Sequence, residues 1–171
     1  MTQSEAVKLK AIIVDDEELA RQGLSMRIEQ YEDLEVVKEC HNGREAIAAI
    51  IEHEPDIVFL DIQMPGMTGF EMINEVQGDV MPMVIFVTAY DAFAVDAFKV
   101  HAIDYLLKPV EGERLASAVE RAKQQKQQES AVNEKQKLLD LAVSLTGKSP
   151  AAIGELLESG EEIVEHADRL A

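Results

Sequence analysis

The sequence contains few of the residues that several classes of protein require. Its 171 residues include a single cysteine, Cys40, which excludes an internal disulfide framework and fits a reducing compartment. Lys and Arg number 16 against 33 Asp and Glu, and this net charge of −17 argues against direct contact with nucleic acid or anionic membrane. No apolar run approaches the ~20 residues of a membrane helix. The stretch Met1–Glu5 lacks the basic start and apolar continuation of a secretory signal, so we expect a cytoplasmic protein.

Five short apolar runs, each of strand length, alternate with amphipathic segments over about 120 residues. The runs are Ala11–Val14, Leu34–Cys40, Ile57–Leu60, Met83–Val87 and Ile103–Leu107. The predicted helices carry apolar stripes at Leu19, Leu24 and Ile28, at Ala46, Ile47, Ile50 and Ile51, over Phe70–Val76, over Asp91–Lys99 and from near Gly112 to Ala122. This alternation predicts an α/β fold, in which helices cover both faces of a parallel sheet.

The third run ends at Asp61, and the loop that follows contains Pro65, Gly66 and Gly69, which end a strand and allow a tight turn. A lone Asp at this position would more often be a turn residue or a helix cap. Here, however, polar residues also follow three other strands, namely Asp15 and Asp16, Thr88, and Lys108. The carboxyl ends of parallel strands lie at the ligand-binding edge of such a sheet, so these residues are expected to converge.

The converging residue types favour phosphoryl-transfer chemistry. Three carboxylates at one edge repel one another unless a cation neutralises them, and an oxygen-only site suits Mg²⁺. A lysine and a hydroxyl beside such a site, here Lys108 and Thr88, suit the oxygens of a phosphoryl group. Because aspartate can form an acyl phosphate, the prediction is phosphoryl transfer onto Asp61.

Residues 9 to about 124 resemble the receiver domain of two-component response regulators. The resemblance rests on Val14-Asp15-Asp16-Glu17, Phe59-Leu60-Asp61-Ile62-Gln63-Met64-Pro65-Gly66-Met67-Thr68-Gly69, Val87-Thr88-Ala89 and Asp104-Tyr105-Leu106-Leu107-Lys108-Pro109. It implies a flavodoxin-like doubly wound (βα)5 fold with strand order 2-1-3-4-5, and a histidine kinase that phosphorylates Asp61. It also implies Mg²⁺ held by Asp16, Asp61 and the Gln63 carbonyl, with Asp15 reaching the metal through water.

The same resemblance assigns roles to residues around this site. Lys108 would pair with the phosphoryl group, Thr88 would hydrogen-bond to it, and the Lys108–Pro109 peptide bond would be cis. Tyr105 matches the switch aromatic of the family, which turns inward on activation. Gln63 and Tyr90 lie where receivers vary the lifetime of the phosphate.

A further implication of the resemblance concerns self-association. The family commonly forms a symmetric dimer through the surface made here by the 91–99 helix, the 103–107 strand and the 112–124 helix. We therefore expect phosphorylation to shift this chain toward a homodimer.

The residues after the receiver have a different composition. Lys123–Gln128 consists entirely of Lys and Gln, and 125–171 is predicted to be a linker with helical segments that include Val132, Leu138 and Leu145. The helix that enters this linker is expected either to run into solvent or to pair with another copy. The strings Thr88–Phe98 and His101–Val110 resemble regulators that carry a LytTR DNA-binding domain. We therefore expect DNA binding only through an effector domain that would follow Ala171.

Two other functions remain open on the sequence. A stand-alone receiver would act through protein contacts, with 125–171 as a docking tail. An aspartate-nucleophile phosphohydrolase of the haloacid dehalogenase type would need a second Asp two residues after the nucleophile, where this chain has Gln63. We expect no enzyme activity beyond the chain's own phosphorylation and dephosphorylation.

Overall fold

The computed structural model describes residues 8–76, 81–147, 149 and 151–152. Five strands and five helices alternate in these residues. They are β1 (Leu9–Val14), α1 (Glu18–Ile28), β2 (Leu34–Cys40), α2 (Gly43–His53), β3 (Ile57–Leu60), α3 (Gly69–Glu75), β4 (Met83–Thr88), α4 (Ala94–Lys99), β5 (Asp104–Leu107) and α5 (Gly112–Thr146).

The five strands form one parallel sheet in the order β2-β1-β3-β4-β5, which confirms the predicted flavodoxin-like topology. The register aligns the strand ends that matter for the site. Val14 of β1 lies beside Leu60 of β3, so Asp15 and Asp61 follow neighbouring strands at the same level. Thr88 of β4 lies beside Leu107 of β5, directly before Lys108.

The side chains of the central strands alternate between two apolar cores, which explains why these strands are apolar throughout. Ile13 and Phe59 belong to one core together with Leu24 of α1 and Leu115 of α5. The neighbouring residues in sequence pack into the other core, with α2 and α3. Helices therefore cover both faces of the sheet, as the alternation of elements predicts.

Side-chain caps fix the starts of two helices next to the site edge. The Asn42 side chain accepts a hydrogen bond from the Glu45 amide at the start of α2. Thr68 and Glu71 form a reciprocal capping box at the start of α3, which satisfies two amides that the helix leaves unbonded. The loop after β3 therefore joins its helix in a defined geometry.

Three predicted details are wrong. Helix α4 begins at Ala94 rather than at Asp91, because no side chain caps an earlier start and Phe93 packs against Phe70 and Tyr90 instead. Leu19 and Ile51 were expected on the apolar stripes of their helices, but 82% and 67% of their surfaces are exposed. The apolar stripes of α1 and α2 are therefore narrower than their composition indicates.

The last helix is longer than predicted. Helix α5 is continuous for 35 residues, from Gly112 to Thr146, where the sequence favoured a helix to about 124 and separate helical pieces beyond it. The chain divides into two compact units, with the boundary between Ala122 and Lys123. The amide of Ala152 donates to the Ser149 side chain, as expected of a helix cap. The expectations for 153–171 lie outside the described residues.

No helix within the described ranges combines the length and the apolar character needed to cross a membrane.

Candidate functional site

The loops after β1 and β3 bring three carboxylates together. Asp15, Asp16 and Asp61 each offer one oxygen, and these oxygens lie within 4.8 Å of one another. Asp15 and Asp61 are buried, whereas Asp16 is exposed. Such close like charges are unfavourable without a compensating cation, so the cluster needs a positive partner.

Lys108, at the end of β5, supplies a positive charge to this cluster. Its Nζ lies 2.7 Å from Asp15 Oδ2 and 3.1 Å from Asp61 Oδ2. Burial acts to lower the pKa of the Lys108 ammonium, but the hydrogen bond to Asp15 and the charge of Asp61 oppose it, and the net effect raises that pKa. Lys108 therefore stays protonated at neutral pH and joins the first, third and fifth strands at one point.

Backbone amides fix the other oxygens of the two buried carboxylates. The Glu17 amide donates to Asp15 Oδ1 at 2.9 Å, and the Ile62 amide donates to Asp61 Oδ1 at 2.7 Å. Each buried carboxylate thus has one oxygen on an amide and one on Lys108. Both side chains are held in a single orientation before any ligand binds.

Thr88 ends β4 beside this group and is fully buried. Its hydroxyl oxygen accepts a hydrogen bond from the Tyr90 amide at 3.4 Å, and its carbonyl accepts one from the Lys108 amide at 2.9 Å. The Lys108–Pro109 peptide bond is cis. The ends of β4 and β5 are therefore joined directly at the site.

Tyr105 lies on β5 and links this edge to the loop before α4. Its hydroxyl donates to the carbonyl of Tyr90, and its ring lies 6.1 Å from the ring of Phe86. Burial raises the pKa of the Tyr105 phenol. Tyr90 is about half exposed and Gln63 is exposed, and they lie two residues after Thr88 and Asp61 respectively.

Gly69 allows α3 to begin directly against β3. A Cβ atom at this position would lie 2.6 Å from the carbonyl oxygen of Asp61, which no real side chain tolerates without displacement. The Gly69 amide also donates to the Ile62 carbonyl at 2.9 Å. The absence of a side chain here is a condition for the position of Asp61.

Arg21, which is not among the predicted site residues, contacts the acidic loop. Its Nη1 donates to the carbonyl oxygen of Asp15 at 2.6 Å, and its Nε lies 3.8 Å from Oε1 of Glu39. A lone arginine one helical turn after an acidic run is the only signal that could have indicated this contact.

The donor set fits a hard divalent cation. All three clustered side chains offer carboxylate oxygens, the ligands that Mg²⁺ prefers, and two of them are held by hydrogen bonds to backbone amides. The exposed position of Asp16 leaves room for the waters that Mg²⁺ usually keeps.

Residues 11–120 match the family model of the response regulator receiver domain, and the chain belongs to that family. Among its relatives, the transcriptional regulatory protein BtsR of Salmonella typhimurium is 43% identical over 143 residues, which cover 82% of this chain and 59% of that protein. An uncharacterized response regulatory protein of Yersinia pestis is 50% identical over 113 residues, covering 66% of this chain and 48% of that protein. The chain thus spans about half of the length of these relatives.

Solved structures show the same fold. The response regulatory domain of mrkE from Klebsiella pneumoniae aligns with a TM-score of 0.65 at 32% identity, covering 70% of this chain and 99% of that one. The receiver domain of AraT from Geobacillus stearothermophilus aligns with a TM-score of 0.65 at 34% identity, covering 71% and 98%.

Proposed function

We propose that Asp61 accepts a phosphoryl group from a histidine kinase in an Mg²⁺-dependent reaction, and that this modification controls a transcriptional regulator. The observation that carries the proposal is the position of Lys108 Nζ between Asp15 and Asp61, beside the exposed carboxylate of Asp16. This arrangement offers a nucleophilic carboxylate, oxygen ligands for a cation and a positive group for the incoming phosphoryl oxygens. The family membership of residues 11–120 supports the same chemistry.

In this proposal each residue has one role. Asp16, Asp61 and the carbonyl of Gln63 would hold Mg²⁺, and Asp15 would reach it through water. When bound, Mg²⁺ would neutralise the carboxylates and the charge of the phosphoryl oxygens. An Asp61 oxygen forms the new bond to phosphorus as the bond to the histidine nitrogen breaks. Lys108 then exchanges its contact with Asp61 for a phosphoryl oxygen.

The switch starts at Thr88 and Tyr105. On phosphorylation, the Thr88 hydroxyl gives up the Tyr90 amide and donates to a phosphoryl oxygen. Tyr105 leaves the Tyr90 carbonyl and turns inward, and the loop before α4 changes with it. Because phosphorylation adds about −1.5 to −2 charge, the new contacts with Lys108 and Thr88 can bias such a two-state loop.

The proposed output is a homodimer through α4, β5 and the start of α5. Val95 and Phe98 of α4 are exposed over 67% and 81% of their surfaces, and Leu107 of β5 over 47%. Exposed apolar side chains on adjacent elements are the composition expected of an interface.

The wider context follows from the relatives. We propose that residues 9–124 are the receiver domain of a cytoplasmic LytTR-type regulator and that 125–171 is the linker toward its DNA-binding domain. The similarity to proteins named as transcriptional regulators supports this assignment. Gln63 and Tyr90, which lie two residues after Asp61 and Thr88, would set how quickly water removes the phosphate. The chain would turn over no substrate other than its own phosphoryl group.

An Asp61→Asn variant tests the central step. With acetyl phosphate and Mg²⁺, the native chain is expected to gain one phosphoryl group by intact-mass spectrometry, and Asp61→Asn none. Asp56→Asn is the matched control, because Asp56 lies at the opposite end of the same strand, where its carboxylate accepts a hydrogen bond from the Lys10 amide at 2.8 Å. Equal phosphoryl uptake by Asp61→Asn and the native chain would overturn the proposal.

A further inference from the structure

We infer that Arg21 is a positioning residue for the cation site: it fixes the peptide between Asp15 and Asp16, and thereby sets the affinity of the site for Mg²⁺. This inference rests on the proposed function of the same site. It concerns a residue outside the carboxylate cluster, which acts only through the backbone of the acidic loop.

The geometry places the Arg21 guanidinium against the loop rather than in solvent. Only 16% of its side chain is exposed, and Nη1 donates to the carbonyl oxygen of Asp15 at 2.6 Å. Glu39 of β2 lies 3.8 Å from Nε and orients the planar group from the other side. Arg21 therefore joins the loop after β1 to the edge strand β2, through a charge-assisted hydrogen bond to Asp15 and an ion pair with Glu39.

This bond restrains the part of Asp15 that its other contacts leave free. The Asp15 amide donates to the Cys40 carbonyl, and its two carboxylate oxygens are held by the Glu17 amide and Lys108. The carbonyl group remains, and it belongs to the same rigid peptide plane as the amide of Asp16. Fixing that carbonyl therefore fixes where the chain delivers Asp16, the exposed member of the cluster.

Deleting Arg21 should change the Mg²⁺ affinity in the direction opposite to the one that its charge predicts. A positive charge near a cation site lowers the affinity of that site by repulsion, so charge alone predicts that deleting Arg21 would strengthen Mg²⁺ binding. A positioning role predicts the reverse, because a mobile Asp15–Asp16 peptide must be ordered when the cation binds. The two explanations are thus separated by the direction of the change.

Isothermal titration of the full chain with Mg²⁺ measures this direction. We expect Arg21→Ala to weaken Mg²⁺ binding about tenfold, the effect typical of removing a group that supports a metal ligand. Arg21→Lys keeps the charge but loses the two-sided geometry, and is expected to fall between the native chain and Arg21→Ala. Unchanged or tighter binding by Arg21→Ala would overturn the inference.

Two controls isolate the bond to Asp15. Arg44→Ala removes the same charge from the exposed surface of α2 and is expected to leave Mg²⁺ affinity within about twofold. Glu39→Gln removes the ion pair but keeps the Asp15 bond, so its loss should be smaller than that of Arg21→Ala. Thermal unfolding shows whether Arg21→Ala folds. If it does not, Arg21→Lys tests the inference instead: weaker Mg²⁺ binding supports the inference, and native affinity refutes it.

Titration of the native chain with Mg²⁺ distinguishes a failure of this inference from a failure of the proposed function. No Mg²⁺ binding by the native chain would contradict the proposed function itself. Binding by the native chain that Arg21→Ala retains in full would contradict only the role of Arg21.

Discussion

The rim of the sheet (Asp15, Asp16, Asp61, Thr88 and Lys108) and the face made by Val95, Phe98 and Leu107 on α4 and β5 are built in opposite ways. At the rim, three of the five residues carry 5% exposure or less, and the ionic groups of Asp15, Asp61 and Lys108 are bonded to one another. On the α4–β5 face, apolar side chains are exposed over roughly half to four fifths of their surface.

The difference also extends to how firmly each region is held. Helix α4 has six residues, one of which, Ala97, is buried, and its N-cap residue Phe93 makes no side-chain capping bond. Segments with few buried contacts rearrange at low cost, whereas a bonded and buried cluster holds its geometry. The rim, where the proposed cation and phosphoryl group would bind, is thus the firmly held region, and α4, where the proposed homodimer would form, is the weakly held one.

The largest expected effect comes from removing Lys108, the positively charged side chain that bonds to both buried carboxylates of the rim. Lys108→Ala leaves two buried carboxylates without their partner, and the free energy of unfolding in Mg²⁺-free buffer should fall by about 3 kcal/mol. Urea unfolding measures this change, with Lys99→Ala on exposed surface as the control. Added Mg²⁺ should stabilise Lys108→Ala more than the native chain. A loss no larger than that of Lys99→Ala would mean that the rim is not held by this charge.

The second effect tests whether the end of β2 is closed to solvent where the Cys40 carbonyl accepts a hydrogen bond from the Asp15 amide of the rim. Cys40 is fully buried, and burial raises the pKa of its thiol to about 11 from an ordinary value of 9.0. The unfolded thiol ionises first as pH rises, so its contribution is intact below pH 9 and is lost between pH 9 and about 11. Over that window the native chain should lose about 2 kcal/mol more than Cys40→Ala in urea unfolding. Parallel pH curves for the two would contradict the closure.

A smaller effect is expected on the α4–β5 face. Phe98→Glu should weaken the dimer formed with Mg²⁺ and beryllofluoride, a mimic of the phosphoryl group, by about tenfold. Sedimentation velocity reports the dimer. Leu19→Glu on α1 is the matched control, since Leu19 is 82% exposed and Phe98 81%. Equal dimerisation of both variants would remove this face from the proposed interface.

The smallest effect concerns the bond that joins the two regions. Tyr105→Phe deletes the hydrogen bond to the Tyr90 carbonyl, which is worth about 1 kcal/mol. If that bond holds the resting state, its loss should favour the beryllofluoride dimer about fivefold. Tyr31→Phe serves as the control, because Tyr31 packs against the core that contains Leu24 and Leu115, whereas Tyr105 packs against the core on the opposite face of the sheet. An unchanged dimer constant would show that Tyr105 does not hold the resting state.

Much of the architecture followed from the sequence because strand ends in a parallel sheet obey a simple rule. The runs before Asp15, Asp61 and Thr88 are strands, and the register aligns their ends. The start of α4 was missed because it depends on ring contacts of Phe93 with side chains distant in sequence. The contact of Arg21 with Asp15 was missed because a bond to a backbone carbonyl leaves no pattern in the residue types.

Gly69 makes the surroundings of Asp61 sensitive to a single methyl group. The Asp61 carbonyl already fills the space that a Cβ would need there, so a side chain at position 69 would clash with the Asp61 backbone. A Gly69→Ala change would therefore displace the Asp61 backbone without altering any charge. Any redesign of this scaffold would have to keep glycine at position 69 unless the Asp61 backbone moves.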